Sequence, residues 1–458
     1  MPNLEFDYQL IEKYDLAGPR YTSYPTAVQF SDEFSISDYQ QQAADSNQSG
    51  RALSLYFHLP FCDTICYYCA CNKIVTKNRK RAQPYLDRLY NEIKMQAQLF
   101  DDSRKVNQLH WGGGTPTFIS HDQMRELMKM TRAHFNLYDD DSGEYSIEID
   151  PREADTKTIN LLRELGFNRI SLGVQDVNPL VQKAVNRIQS IEQTTEVINA
   201  ARTSGFHSAS IDLIYGLPHQ TGASFAHTLE TVLELDPDRL SIFNYAHLPD
   251  MFKTQKQIDS NQLPSARVKL AILENSINTL TAAGYVYIGM DHFAKPDDEL
   301  AIAQRKHNLY RNFQGYSTHA DCDLIGMGVT SIGMINNSYS QNFRTMDDYT
   351  NCIDSNKLAV FRGIALNNDD KLRRHVITEL ICNFKLDIKS IEEKYSIVFA
   401  DYFSSALMAL ASMQEDGLIN ISDSVIEVSA KGSLFIRNIC MTFDVYLKHH
   451  SARFSKVL

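Results

Sequence analysis

Along the chain, short runs of β-branched and aromatic residues alternate with longer segments in which apolar residues recur every three or four positions. The short runs are "LSLYFHL" (53–59), "QLHW" (108–111), "YSIEID" (145–150), "RISLGVQ" (169–175), "ASIDLIYGL" (209–217) and "RLSIFNYAHL" (239–248), each about the length of a strand. Between them, "SHDQMRELMKMTRAHF" opens with a capping box, Ser120 with Gln123, and sets Met124, Leu127 and Met128 on one helical face. "TKTINLLRELG" places Ile159, Leu162 and Leu165 together and stops at Gly166, and "SIEQTTEVINAARTSG" stops likewise at Gly205.

Strand then helix, six times over, predicts right-handed βαβ units on a parallel sheet. Distinctive residues stand at or just past nearly every strand's C-terminal end: a group of cysteines, then "GGGT", Glu148, Gln175, Asp212 and "NYAH". Barrel enzymes collect their active sites there. The expected fold is therefore α/β, a partial six-stranded (β/α)6 barrel over 51–290, with an N-terminal extension (1–50).

Past Tyr285 the periodicity weakens and Gly, Tyr, Asn and His accumulate, which predicts connecting loops and elements packed on the active site over 291–366. From 367 to 458 a smaller, mostly helical domain follows. It contains "KLRRHVITELICNF", "FADYFSSALMALASMQEDG" and a hairpin, "LINISDSVIEVSAKG", an order resembling a winged helix. Its Lys and Arg are diluted by Glu and Asp, so packing is a better reading for it than nucleic-acid binding.

A chain of 458 residues, 43% hydrophobic, can bury a large core. Its first thirty residues lack the apolar run of a signal peptide, and no stretch is long enough to span a bilayer, so a cytoplasmic protein is expected. A net charge of −11 with both signs interleaved argues against a nucleic-acid partner and favours a small ligand. Cys322, Cys352, Cys382 and Cys440 are scattered singly, which suits reduced, buried thiols rather than a disulfide framework.

The other four cysteines crowd into "FCDTICYYCACNK": Cys62, Cys66, Cys69 and Cys71. The first three have C-x3-C-x2-C spacing, tight enough for one loop to surround one inorganic centre. Structural zinc is the competing reading, but zinc sites usually draw pairs of ligands from separate places, and the single-residue gap to Cys71 would strain a fourth ligand. An iron–sulfur cluster fits better, since thiolates are its usual ligands. Three thiolates on a four-iron cluster leave one iron with an open position.

This spacing, in a loop after the first strand of a partial barrel, resembles the radical S-adenosylmethionine superfamily. There the open iron takes the amino and carboxylate groups of S-adenosylmethionine, and one electron cleaves the sulfonium to give a 5′-deoxyadenosyl radical. "GGGTP" (112–116) alone reads as a tight turn, but in this superfamily such a run after the second strand meets the cofactor's methionine moiety. Glu148 suits ribose hydroxyls, with capping of the next helix as its alternative.

Longer blocks narrow the resemblance. "GPRYTSYPT", "SLYFHLPFC", "CNKIVT", "LHWGGGTPT", "IEIDPRE", "GFNRISLGVQD", "IDLIYGLP", "FNYAHLP", "GMDHFA" and "RNICMTFD" resemble the oxygen-independent coproporphyrinogen III oxidase family from near the N-terminus to near the end. One departure is Ala70, in "CACN", where the family usually has Gly.

The resemblance implies oxidative decarboxylation of two propionates of coproporphyrinogen III to vinyl groups, giving protoporphyrinogen IX. It implies a [4Fe-4S] cluster on Cys62, Cys66 and Cys69, with Cys71 outside the ligand set in a catalytic role. It also implies two S-adenosylmethionine molecules, one near Tyr56, Gly113, Glu148 and Ile332, the second near Tyr68, Gly114, Thr115, Gln175, Arg187, Asp212 and Ala246. An electron donor, a final acceptor and a monomeric state are expected, with no membrane or nucleic-acid partner. The extension would cover the substrate, with Arg20 the first candidate to anchor a propionate, ahead of Arg305 and Arg344. Heme-binding chaperones share the cluster motif and form the alternative. They typically lack "GPRYTSYPT" and carry an aromatic residue in place of Cys71. A radical enzyme acting on RNA ranks below both, for want of a basic patch.

Overall fold

The computed structural model describes residues 6–319 and 321–449. The chain forms two compact units, each assembled from separated segments: Phe30–Lys269 with Asp321–Ala365, and Met1–Gln29 with Leu270–Ala320 and Leu366–Leu458.

The first unit carries the six expected strands: β1 (Leu53–Leu59), β2 (Lys105–Gly113), β3 (Glu144–Ile149), β4 (Arg169–Gln175), β5 (Ser208–Tyr215) and β6 (Arg239–Asn244). They pair in parallel and in sequence order, as right-handed βαβ units dictate. The intervening helices are α1 (Ala82–Ala97), α2 (His121–His134), α3 (Thr156–Glu164), α4 (Ile191–Thr203) and α5 (Gly222–Glu234). Ser120 and Gln123 form the expected capping box, and Ser190 with Gln193 makes another. Gly166 and Gly205 end α3 and α4 with φ of +101° and +80°, angles that favour glycine. Met124, Leu127 and Met128 are buried as the spacing requires, whereas α3 buries Leu161 beside Ile159 and Leu162 and leaves Leu165 as its C-cap.

The core is the side of the sheet under these helices. Leu55, Phe57, Leu109, Trp111, Ile147, Leu172, Ile211, Leu213 and Leu240 are essentially inaccessible. Trp111 meets Phe167 edge-to-face with ring centroids 4.8 Å apart, which anchors β2 to the start of β4.

The sheet continues beyond β1 into the segment expected to be loops. β7 (Asp323–Met327) pairs with β1 in parallel, then β8 (Ile332–Ile335), β9 (Ser338–Asn342) and β10 (Val360–Ala365) add antiparallel strands. Every residue of β7 and β9 is buried, so neither shows the alternation that marks a half-buried strand. The β8–β9 connection is Asn336–Asn337, and Asn336 takes the left-handed φ of +52° that tight hairpins use. Arg104 closes on Asp323 at 2.5 Å with both side chains nearly inaccessible, securing the start of β7.

In the second unit, helix α6 (Asn368–Asn383) is followed by helices Ile388–Tyr395 and Ser404–Glu415. The expected hairpin, Ile419–Ile421 with Val425–Val428, is present and gains a third strand, Lys385–Asp387. The N-terminal block folds against the C-terminal helix of the same unit. Asn438 donates to the Tyr14 carbonyl (2.9 Å), Arg437 to that of Pro19 (3.0 Å), and the Tyr21 hydroxyl to Asp444 (2.9 Å). Among the described residues, no helix is long and apolar enough to cross a membrane.

Candidate active site

Exposure alternates along β3, β4 and β5. Ser146 and Glu148, then Ser171, Gly173 and Gln175, then Ser210, Asp212 and Ile214 are half-buried, and the residues between them are buried. Successive side chains of a strand point to opposite faces, so the sheet presents one largely polar face away from its apolar core. Register aligns that face across strands: Tyr56 lies beside His110, His110 beside Ser146, Glu148 beside Ser171, and Asp212 beside Ser241.

Hydrogen bonds tie these positions together. The Tyr56 hydroxyl meets His58 Nδ1 (3.1 Å), and its ring stacks on His110 with centroids 5.8 Å apart. His110 contacts Ser146 Oγ (2.6 Å) and Glu148 Oε1 (3.4 Å). Glu148 is no helix cap, since the turn after β3 is capped by Asp150. Its Oε2 instead accepts the backbone N–H of Gly113 (3.0 Å). Desolvation opposes charge at Glu148, but His110 and the Gly113 amide outweigh it and hold its pKa below the ordinary value. Asp212, with a donor in Ser171 Oγ (3.0 Å), is pushed up to about 6 by desolvation. Ile332 joins this group through Gly326. Gly326 is the β7 neighbour of Tyr56, and a Cβ there would lie 2.6 Å from the Ile332 carbonyl oxygen.

The glycine run is a strap across the end of β1. Gly114 and Thr115 donate their amides to the carbonyls of Leu59 (2.9 Å) and Phe61 (2.7 Å). Gly113 has φ of +113°, and a Cβ there would stand 2.6 Å from the His58 ring. A side chain at Gly114 would meet the Phe61 carbonyl oxygen at 2.6 Å. The left-handed φ at Gly113 and the close backbone approach at Gly114 thus each require glycine.

The cysteine loop is braced from three sides. Ile74–Val75 pairs with Phe61–Cys62 at its base. The Tyr67 amide donates to the Val185 carbonyl (3.0 Å), and Asn186 donates to that of Ile65 (2.7 Å). Thr254 donates to the Cys69 carbonyl (3.2 Å), while the Gln255 side-chain amide donates to the carbonyls of both Tyr68 (3.1 Å) and Ala246 (3.2 Å).

Donors converge on the sulfurs. Thr115 Oγ1 lies 3.6 Å from Cys62 Sγ, and the Arg187 and Arg152 guanidinium groups approach Cys66 Sγ at 3.6 and 3.8 Å. Cys69 is acidified, chiefly by the neighbouring Cys71 thiol and further by Lys73, against desolvation. Burial pushes Cys62 the other way, to about 11, despite Thr115. Three thiols on one loop, two of them addressed by N–H or O–H donors, fit an iron–sulfur cluster held as thiolates.

Asp150 organises the two arginines. Arg152 grips it through Nε (3.0 Å) and Nη2 (2.7 Å), and Arg187 adds a contact at 2.9 Å. Arg187 also donates to the Gly173 carbonyl, placing it against Gln175, whose own φ is +70°.

Most sequence-predicted residues therefore meet. Tyr56, Gly113, Glu148 and Ile332 form one contiguous group. Arg187 lies beside Gln175 and interacts with Tyr68, Gln255 links Tyr68 to Ala246, Gly114 and Thr115 continue the strap, and Asp212 is the β5 partner of Gly173. Cys71 is exposed beside Cys69. Ala70 is exposed and outside the left-handed region, so its methyl group costs nothing there. Arg344 reaches the cysteine loop through its carbonyl, which accepts from Asn72 (2.7 Å). In the second unit, Arg20 pairs with Asp291 (2.6 Å), and Arg305 stands exposed at a helix C-terminus. Cys322, Cys382 and Cys440 are buried free thiols, and Cys352 is half-buried.

His58, His110, Asp150, Arg152, Thr254 and Gln255 were not singled out by sequence reasoning. For His110 a signal existed: it faces the Ser-x-Glu and Ser-x-Asp alternations of "YSIEID" and "ASIDLIY" across the same sheet.

Comparison with known proteins agrees with this geometry. The Radical SAM superfamily model matches residues 56–232 and the HemN C-terminal domain model residues 366–435. The oxygen-independent coproporphyrinogen III oxidases of Pseudomonas aeruginosa and Escherichia coli are 52% and 51% identical to the chain, covering 100% and 99% of it and the same shares of their own lengths. The solved structure of the E. coli coproporphyrinogen III oxidase HemN, described as a radical SAM enzyme, superposes with a TM-score of 0.93 at 51% identity, covering 97% of this chain and 100% of that one. The chain belongs to the oxygen-independent coproporphyrinogen III oxidase family of the radical SAM superfamily.

Proposed function

We infer that the chain converts two propionate side chains of coproporphyrinogen III to vinyl groups by oxidative decarboxylation, giving protoporphyrinogen IX for heme synthesis. The observation that carries this reading is the three-thiol loop set at the mouth of a polar sheet face bearing Tyr56, His110 and Glu148. A [4Fe-4S] cluster on Cys62, Cys66 and Cys69 would supply the electron that splits S-adenosylmethionine into methionine and a hydrogen-abstracting 5′-deoxyadenosyl radical.

The chain's own groups bind and orient. The Glu148 carboxylate, kept ionised, would accept the ribose hydroxyls, and Gly113 would let the strap lie against the ligand. Tyr56 and Ile332 would contact the same molecule. Tyr68, Gly114, Thr115, Gln175, Arg187, Asp212 and Ala246 would hold a second S-adenosylmethionine. No general base is needed to take a hydrogen atom, in keeping with the lack of an acid/base dyad among the predicted residues. Arg20 anchors a propionate, and Cys71 acts on the substrate side of the cluster. The chaperone alternative is disfavoured, because Cys71 and the N-terminal block are both present.

Anaerobic reconstitution with iron and sulfide, followed by S-adenosylmethionine, reductant and coproporphyrinogen III, should yield protoporphyrinogen together with 5′-deoxyadenosine. Stoichiometric heme binding without turnover would overturn the reading.

A further inference from the structure

Arg152 stands where none of the expected cofactor contacts requires it. Its side chain is 16% exposed, and its guanidinium divides between two partners, the Asp150 carboxylate through Nε and Nη2 and the Cys66 sulfur through Nη2. Arg187, 7% exposed, makes the same pair of contacts from the other side. One sulfur thus faces two guanidinium groups, and one carboxylate fixes both. Among the described residues, the side-chain donor at Cys62 is the neutral Thr115 hydroxyl. Neutralising Cys66 and Arg187 against each other would leave Asp150 without a counter-charge, so Arg152 completes a balanced set of two cations and two anions.

The reduction potential of an iron–sulfur cluster follows its net charge, the hydrogen bonds to its sulfurs and its exposure. Reduction adds a negative charge. A cation and N–H donor on a ligand sulfur favours the reduced form, and a nearby carboxylate disfavours it. We propose that Arg152, oriented by Asp150, is a positioning residue that raises the reduction potential of the cluster through the Cys66 sulfur. The proposal rests on assigning the three spaced thiols to a cluster. Iron and sulfide analysis of the unsubstituted protein tests that assignment by itself.

The test is a redox titration of the reconstituted full-length protein, followed by electron paramagnetic resonance at matched iron and sulfide content. Arg152→Met should lower the midpoint, with the reduced fraction falling about tenfold at fixed potential, or about 59 mV for a one-electron couple. Arg152→Lys should recover part of that shift. Asp150→Asn keeps an acceptor oxygen for the Arg152 guanidinium but removes the carboxylate charge, while Arg187 stays held by the Gly173 carbonyl, so its midpoint should move up. Opposite signs for Arg152→Met and Asp150→Asn support the proposal. An unchanged midpoint in Arg152→Met, or shifts of the same sign in both, overturns it. Should Arg152→Met fail to load, Arg152→Gln decides instead, a lowered midpoint supporting and an unchanged or raised one overturning.

Discussion

Lys73 Nζ donates to the carbonyls of both Cys69 (3.0 Å) and Cys71 (3.4 Å), which ties the two residues together while Cys71 stands exposed; the proposed ligand set of Cys62, Cys66 and Cys69 leaves Cys71 out. On that reading Cys71→Ser should keep full iron and sulfide and the cluster's visible absorbance, while turnover of coproporphyrinogen falls about tenfold, the loss of one substrate contact of about 1.4 kcal/mol. Cys62→Ser, Cys66→Ser and Cys69→Ser should each lose the absorbance. A complete cluster in Cys66→Ser would remove it from the ligand set.

The Gly113 amide donates to Glu148 Oε2 at 3.0 Å, at the centre of the proposed cofactor face. Glu148→Gln preserves an acceptor for that amide but loses the charge that favours ribose hydroxyls. Hydrogen bonds to a charged group are worth about 1.5–3 kcal/mol, so S-adenosylmethionine should bind about 10- to 100-fold more weakly to the cluster-loaded protein. Anaerobic calorimetry reads this, and an unchanged melting temperature separates it from misfolding. Gly113→Ala differs: its left-handed φ and the nearby His58 ring predict a loss of stability of about 1–3 kcal/mol even without cofactor.

The spaced thiols, the strap glycines and Glu148 were legible because each sits at a strand end, where local pattern and topology coincide. β1 and β4 fall on their predicted residues, whereas "QLHW" lengthens to Lys105–Gly113 and "ASIDLIYGL" stops at Tyr215, where Gly216 turns with φ of +88°. Gln255 was illegible for a different reason. It lies in a short 3-10 turn without periodicity, and its role exists only once Tyr68 and Ala246, far apart in sequence, share its amide. The same holds for β7 and β9, whose wholly buried residues carry no alternation, and for the second unit, built from three distant segments.

Gln255 is 2% exposed and satisfies three backbone groups, the carbonyls of Tyr68 and Ala246 and the Leu248 amide. Gln255→Ala should cost about 1–3 kcal/mol through unsatisfied buried polar groups. Hydrogen exchange should accelerate in residues 66–70 and 245–249 together. Faster exchange in one segment only would mean that Gln255 does not couple them.

Glu92, fully buried on α1, accepts from Tyr349 (2.6 Å), Gly328 (2.7 Å) and Asn342 (2.7 Å), which fixes the turn leading to Ile332. Burial raises its pKa from 4.5 to about 7 despite these donors. A raised folded-state value means that its contribution to stability is complete below the unfolded pKa and is lost as pH rises through about 7. The difference in unfolding free energy between the protein and Glu92→Gln should therefore shrink from about pH 5 to pH 8, by on the order of 3 kcal/mol. A pH-independent difference would show that Glu92 stays ionised.

Arg20 offers the sharpest choice between a structural and a substrate role. Its pair with Asp291 is 34% and 11% exposed on the two sides, a setting in which an ion pair contributes about 0–1 kcal/mol. Arg20→Ala should therefore leave the melting temperature nearly unchanged. If Arg20 meets a propionate, the loss of a charged hydrogen bond raises KM for coproporphyrinogen about 10- to 100-fold, with kcat much less affected. Asp291→Asn separates the two roles, because it breaks the same pair yet frees the guanidinium. A propionate anchor predicts that KM stays level or falls in Asp291→Asn, and a purely structural pair predicts that both variants behave alike.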